Sequence, residues 1–205
     1  MIPRGTGDRG QAFPIFIVAV VGLLFAALAY FAFGQASVIR SNAQKAADAG
    51  ALAAARDARN TLLGGFNPAA FKREDWSKLL DGKLFDAKAG CAAAKNFARD
   101  NGSTAACDAS ESPRFTVSAT TAHAMADSVV PGAAGTQGVA TATAVIKPRC
   151  TLSPPPDAGD DPPAEGTPLP VDFKCSGADP IRLDPSKPPT WPELAHKLFS
   201  VNLVK

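Results

Sequence analysis

Four cysteines and two histidines are the residues of this 205-residue chain with the most chemical potential. Cys91, Cys107, Cys150 and Cys175 are an even set, which suits two disulfides in an oxidising compartment. Four cysteines allow three pairings. The pairing Cys91–Cys107 with Cys150–Cys175 is preferred, because each bridge closes a local loop. A closed loop of about 15 residues removes on the order of 3 kcal/mol of unfolded-chain entropy. The second bridge would confine a Pro-rich stretch. Zinc would need clustered pairs such as C-x-x-C, and the sequence has none. His123 ends a strand-like run, and His196 lies beside Glu193 in an amphipathic stretch. With the thiols bridged, a Cys–His nucleophile is excluded. There is no G-x-S-x-G turn, phosphate loop or dinucleotide fingerprint. The residues therefore predict no enzyme, no cofactor and no metal.

Asp108, Ser110 and Ser112 stand at D-x-S-x-S spacing. In von Willebrand factor A-type domains this pattern starts a metal-ion-dependent adhesion site. There it follows a buried apolar strand. Here Ser103-Thr104-Ala105-Ala106-Cys107 precedes it and Pro113 follows, so the reading is a polar loop between helix and strand.

The elements that must carry these residues are made of three different materials. Formal net charge is +2, with no basic excess for nucleic acid. Residues 1–12 form a short leader expected on the cytoplasmic side. Phe13 to Phe33 carry no charge, and a helix of that length spans roughly 30 Å, the thickness of a hydrocarbon core. A transmembrane helix is predicted over 13–36, with membrane lipid as its partner and Tyr30 and Phe31 near the interface. A cleaved secretory signal is the alternative, but the apolar run exceeds a usual signal core. Flanking charge orients the span weakly. The four cysteines, all beyond it, place the N-terminus inside and the body outside.

Residues 37–147 are expected to form a small disulfide-bonded extracytoplasmic α+β module. Its first helix continues the membrane helix to about Leu63 and stops at Gly64-Gly65. Ala43, Ala46, Ala47, Gly50, Ala51 and Ala54 share one face of it and permit close helix packing. A second amphipathic stretch covers Pro68 to Phe85, and a third helix runs near Ala89 to Arg99 before Asn101-Gly102. The runs at 115–120 and 138–146 alternate as strands, joined through a turn at Pro131-Gly132. Thirteen of 18 prolines fall between Pro148 and Pro192, so residues 148–190 are expected to be an irregular Pro-rich loop. Trp191, Leu194, Ala195 and Leu198 predict an amphipathic helix over 191–205.

Arg9-Gly10-Gln11-Ala12-Phe13-Pro14 before the apolar run, and the Ala-rich stretch Ala43 to Ala55, resemble the TadE/TadG-like proteins of Flp (tight adherence) pilus assembly. The resemblance covers about residues 9–56. The later pattern, a helix from Cys91 to Cys107 and two alternating runs, is similar to actinobacterial members. The family implies a bitopic envelope protein acting as a pilin-like or assembly component, with other Tad proteins as partners through helix packing. Prepilin processing sites carry Glu five residues after the cut. With Gly10 before the cut, that position is Ile15, which fits the uncleaved TadG-like branch.

Two functions are carried forward. The first is a membrane-anchored, non-enzymatic component of a Tad/Flp-type pilus or related secretion system, forming homo- or hetero-oligomers. The alternative is a membrane-tethered extracellular binding or adhesion module that uses the Pro-rich loop and terminal helix.

Overall fold

The computed structural model describes residues 12–61, 70–124, 135–154, 170–177, 179–184, 187 and 189–204. Helix α1 (Ala12–Thr61) is 50 residues long, or about 75 Å at 1.5 Å per residue. It is unbroken because Ala, Leu, Ile and Val fill it and its one proline, Pro14, lies in the first turn. The expected stop at Gly64-Gly65 and the turn at Pro131-Gly132 lie outside the described residues, as do residues 1–11.

The two halves of α1 have opposite surroundings. From Phe13 to Phe33 the large apolar side chains are exposed, Leu23 at 72 % for example. From Ala43 onward one face is sealed, with Ala43, Ala47, Ala51, Ala54, Ala55 and Ala58 fully buried. Small side chains there let the helix lie close on its neighbours, and burial per residue is modest but continuous.

Those neighbours are α3 (Ala87–Asp100) and a four-stranded antiparallel sheet ordered β1-β2-β3-β7. Helix α3 starts at Asp86, whose carboxylate accepts from the backbone N–H of Lys88 and Ala89 at 2.9 and 3.0 Å. It ends at Asn101 and Gly102, the latter at φ +63°. It runs antiparallel to α1: Gly90 lies beside Ala54 and Ala58, while the Ala94 carbonyl lies beside Gly50. Strands β1 (Ser103–Asp108), β2 (Arg114–Thr121) and β3 (Val139–Pro148) pair in sequence order. Phe115, Val117 and Ala119 alternate inward with Ala142, Ala144 and Ile146 opposite α1. The far face carries hydroxyls, with Thr116 paired to Thr143 at 3.0 Å and Ser118 to Thr141 at 2.8 Å.

Four sequence expectations need correction. Ser103 to Cys107 are a strand, because Ala105 and Cys107 point inward while register with Val117 and Ala119 satisfies the backbone. The Asp108–Ser112 segment therefore joins two strands, not a helix and a strand. The 148–190 segment is not wholly irregular: β4 (Cys150–Leu152), β5 (Val171–Cys175) and β6 (Ile181–Leu183) form a second antiparallel sheet. Pro154, Pro170 and Pro180 flank these short strands, where no ladder N–H is needed. Residues 155–169 lie outside the described residues. Finally, the terminal helix α4 (Trp191–Leu198) stops at Leu198, and Phe199–Val204 become β7, the fourth strand of the main sheet. Alternating Phe199, Val201 and Leu203 suit an edge strand better than another helical turn. The body thus draws on both ends of the region beyond Asn42, with β3 paired to β7 near the C-terminus.

The shorter α2 (Arg73–Leu80) buries Trp76 and Leu79 in the core. Its Trp76 stacks edge-on to Phe173 of β5 at 5.4 Å, and Phe85 to Phe199 at 5.3 Å. Arg73 donates to the Ser153 carbonyl, which ties α2 to the end of β4. Trp191, Leu194 and Leu198 of α4 join the same core.

Candidate functional site

The structure places the chemistry-bearing residues far apart and gives each a structural setting. Cys91 of α3 is bonded to Cys107 of β1, and Cys150 of β4 to Cys175 of β5, leaving no free thiol. The first bridge ties α3 to the edge strand beneath it. The second crosses between directly opposed residues of the small sheet.

Asp108 accepts from the Ser110 N–H at 2.9 Å, a local turn bond that holds its carboxyl below the ordinary value. Ser110, Glu111, Arg114 and Thr116 surround it, and Ser112 is not among them. Among the described residues no three His, Cys, Asp or Glu side chains converge on a metal-sized space. His196 Nε2 lies 3.2 Å from Arg59 Nη2, so the guanidinium donates to an unprotonated ring nitrogen. Burial, and then the charge of Arg56, lower the pKa of Arg59. Its backbone carbonyl accepts from Trp191 Nε1 at 3.0 Å, which fastens α4 to the end of α1. His123 sits at the opposite end of the body, next to Lys45.

Ala43, Ala46, Ala47, Gly50, Ala51 and Ala54 are all buried within this chain. A Cβ on Gly50 would lie 3.2 Å from Val117 Cγ1 and 3.5 Å from the Ala94 oxygen. The face is therefore occupied by β2 and α3, and is not the surface through which another chain's helix can pack. Gly90 makes the closest approach: its Cβ would stand 2.7 Å from the Ala54 oxygen and 2.8 Å from Phe115 Cε1. Nothing in the Ala-rich run around Gly90 marks it out before the α1–α3 crossing is seen.

What remains unpartnered is the first half of α1. It is the one helix among the described residues long and apolar enough to cross a membrane, and none of its most apolar window is buried. Gly22 and Gly34 have no atom of another described residue within 4 Å of where a Cβ would stand. A glycine inside a helix costs up to about 1 kcal/mol relative to alanine.

A long helix, bare and apolar in its first half and laid along an antiparallel sheet in its second, gives the chain an α+β architecture. Residues 10–57 match the family model described as putative Flp pilus-assembly TadE/G-like, and this segment is what the chain shares with that family. The match covers the whole exposed half of α1 and most of the buried half. No curated protein and no solved structure matches the chain.

Proposed function

We propose that this protein is a membrane-anchored, non-enzymatic pilin-like or assembly component of a Tad/Flp-type pilus or related secretion system. The carrying observation is the division of α1: Phe13 to Phe33 lie bare, while Ala43 to Ala58 are sealed against the body, and the family match spans both. Exposed apolar area of this size is stable in hydrocarbon and unfavourable in water, at about 25 cal/mol per Å². The helix satisfies its own backbone, as a lipid-facing segment must. The bridged cysteines support a cytoplasmic N-terminus and an extracytoplasmic body. Ile15 supports retention of the leader.

Lateral association with other Tad proteins is assigned to the exposed half of α1. The buried Ala face has no free surface to offer. Gly22 and Gly34 support this assignment, since each leaves a notch that no described residue of this chain fills. The test is capture of the full chain from membranes in mild detergent, with the co-purifying proteins identified. Tad pilin, platform or motor proteins are expected, reduced by Gly34→Leu. Recovery of none of them would sink the proposal.

A further inference from the structure

The end of the body nearest the exposed helix carries a polar cleft that the fold alone does not require. Ile39, Asn42 and Lys45 of α1 form one wall, Asn101, Gly102 and Ser103 a second, and Thr121, His123 and Ala124 a third. Its volume is about 360 Å³. The fold closes tightly just beneath it. A Cβ on Gly138 would stand 2.6 Å from the Ile39 oxygen, the Gly138 N–H donates to Thr121 Oγ1 at 3.0 Å, and the Ala122 N–H to the Gly102 oxygen at 2.8 Å. The backbone beneath the cleft is thus fixed, and the side chains of Asn42, Lys45 and His123 rise from it.

The lining holds one cation, Lys45, with the amides of Asn42 and Asn101 and the His123 ring beside it. Among the described residues no carboxylate lies within ion-pair distance of Lys45, or of Arg40 one turn nearer the exposed helix. Asp48, the nearest acid along α1, accepts from Gln44 at 2.8 Å. Arg99 and Asp100, at the end of α3, carry opposite charges, and Arg99 donates to Asn96 at 2.9 Å. A second observation concerns apolar surface. Among the described residues of the body, the exposed large apolar side chains are Phe97, Val139 and Leu203. Two of these three flank this end: Phe97 is one turn before Asn101, and Val139 follows Gly138. Cations and isolated apolar side chains on one surface suit a lipid interface.

The position along α1 agrees. The neutral stretch from Phe13 to Ile39 is roughly 27 residues, or about 40 Å of helix. The hydrocarbon core takes about 30 Å of that, and the rest enters the headgroup layer. Arg40 is the first charge, and Ala43 is already buried in the body. An unbroken helix with no linker holds the cleft at the membrane surface.

We propose that this cleft seats the phosphate headgroup of an anionic phospholipid, with Lys45 supplying the countercharge and Asn42 and His123 donating N–H bonds. This rests on the reading of Phe13–Phe33 as a membrane span. The test uses the full chain in nanodiscs of equal phosphatidylcholine and phosphatidylglycerol, with retained lipids counted by native mass spectrometry. Several-fold preferential retention of phosphatidylglycerol is expected, falling to parity in the Lys45→Gln/His123→Gln double variant, while both disulfides and the circular dichroism stay unchanged. Equal retention of the two lipids by the parent chain overturns the inference, as does a preference that survives the double variant. Displacement of the lipid by millimolar inorganic phosphate would assign the cleft to a free anion and overturn it too. Failure of the chain to enter nanodiscs at all would instead overturn the membrane span.

Discussion

Gly90 shows how one residue decides the α1–α3 crossing. Alanine in place of a mid-helix glycine ordinarily adds up to about 1 kcal/mol of stability. Here the new methyl would press on a backbone oxygen at 2.7 Å and an aromatic carbon at 2.8 Å. Overpacking of that kind costs about 1–3 kcal/mol. Gly90→Ala is therefore expected to lower the urea midpoint, against the propensity trend; a raised midpoint would show that the crossing yields. Asp57 offers a residue-scale test by pH. Partial burial first, and the charge of Asp86 second, raise its pKa above the ordinary 3.8. The folded chain then binds the proton more tightly than the unfolded chain. Its contribution is fully present below pH 3.8 and is lost as pH rises through the raised value. Asp57→Asn is expected to stabilise the body at neutral pH and to flatten the stability profile just above pH 3.8. Asp86 must stay for this comparison, because it caps α3.

At the scale of elements, the small sheet β4-β5-β6 depends on the bridge within it. Its strands have three, five and three residues, too few to stand without support. Cys150–Cys175 closes a loop of sequence separation 25, worth about 3.5 kcal/mol of unfolded-chain entropy. Phe173 and Leu183 pass from this sheet into the shared core beside Trp76. Replacing both cysteines by serine is expected to destabilise the chain by about 3 kcal/mol in urea titration and to weaken the near-ultraviolet tryptophan signal. An unchanged signal would separate the sheet from the core. The same element explains why part of the fold was hidden in the sequence. Helices α1, α3 and α4 announce themselves through apolar spacing, alanine content and stop residues. Strands β2 and β3 do so by alternation. The strands at β4 to β6 are three to five residues long and lie among prolines, so composition dominates any local window. Strand β7 continues directly from α4 without a turn residue, and only its partner β3 distinguishes it from another helical turn. The Ala face was legible as a packing surface, but its occupants are tertiary information: α3, β2 and β3 lie about 40 to 100 residues further along the chain.

For the whole molecule, the division of α1 makes a separable prediction. Residues 13–33 contribute no buried large side chain, and the sealed face begins at Ala43. The body's sheet, both disulfides and the α4 clasp on Arg59 all lie beyond residue 42. A chain of residues 37–205 should therefore keep its fold without the exposed helix. It is expected to remain soluble without detergent, to show no free thiols by intact mass, and to unfold cooperatively in urea. The full chain is expected to need detergent and to stay in the membrane pellet after alkaline extraction. The helix lost by the truncation is two turns short of Ala43, so fraying at the new end should stop before the core. If the shortened chain aggregated or lost cooperativity, the exposed half of α1 would be part of the body's folding unit, not an anchor attached to it. If it stayed folded and the full chain were released by alkali, the body would stand while the membrane span fell. The two halves of α1 can thus be judged separately, although one unbroken helix joins them.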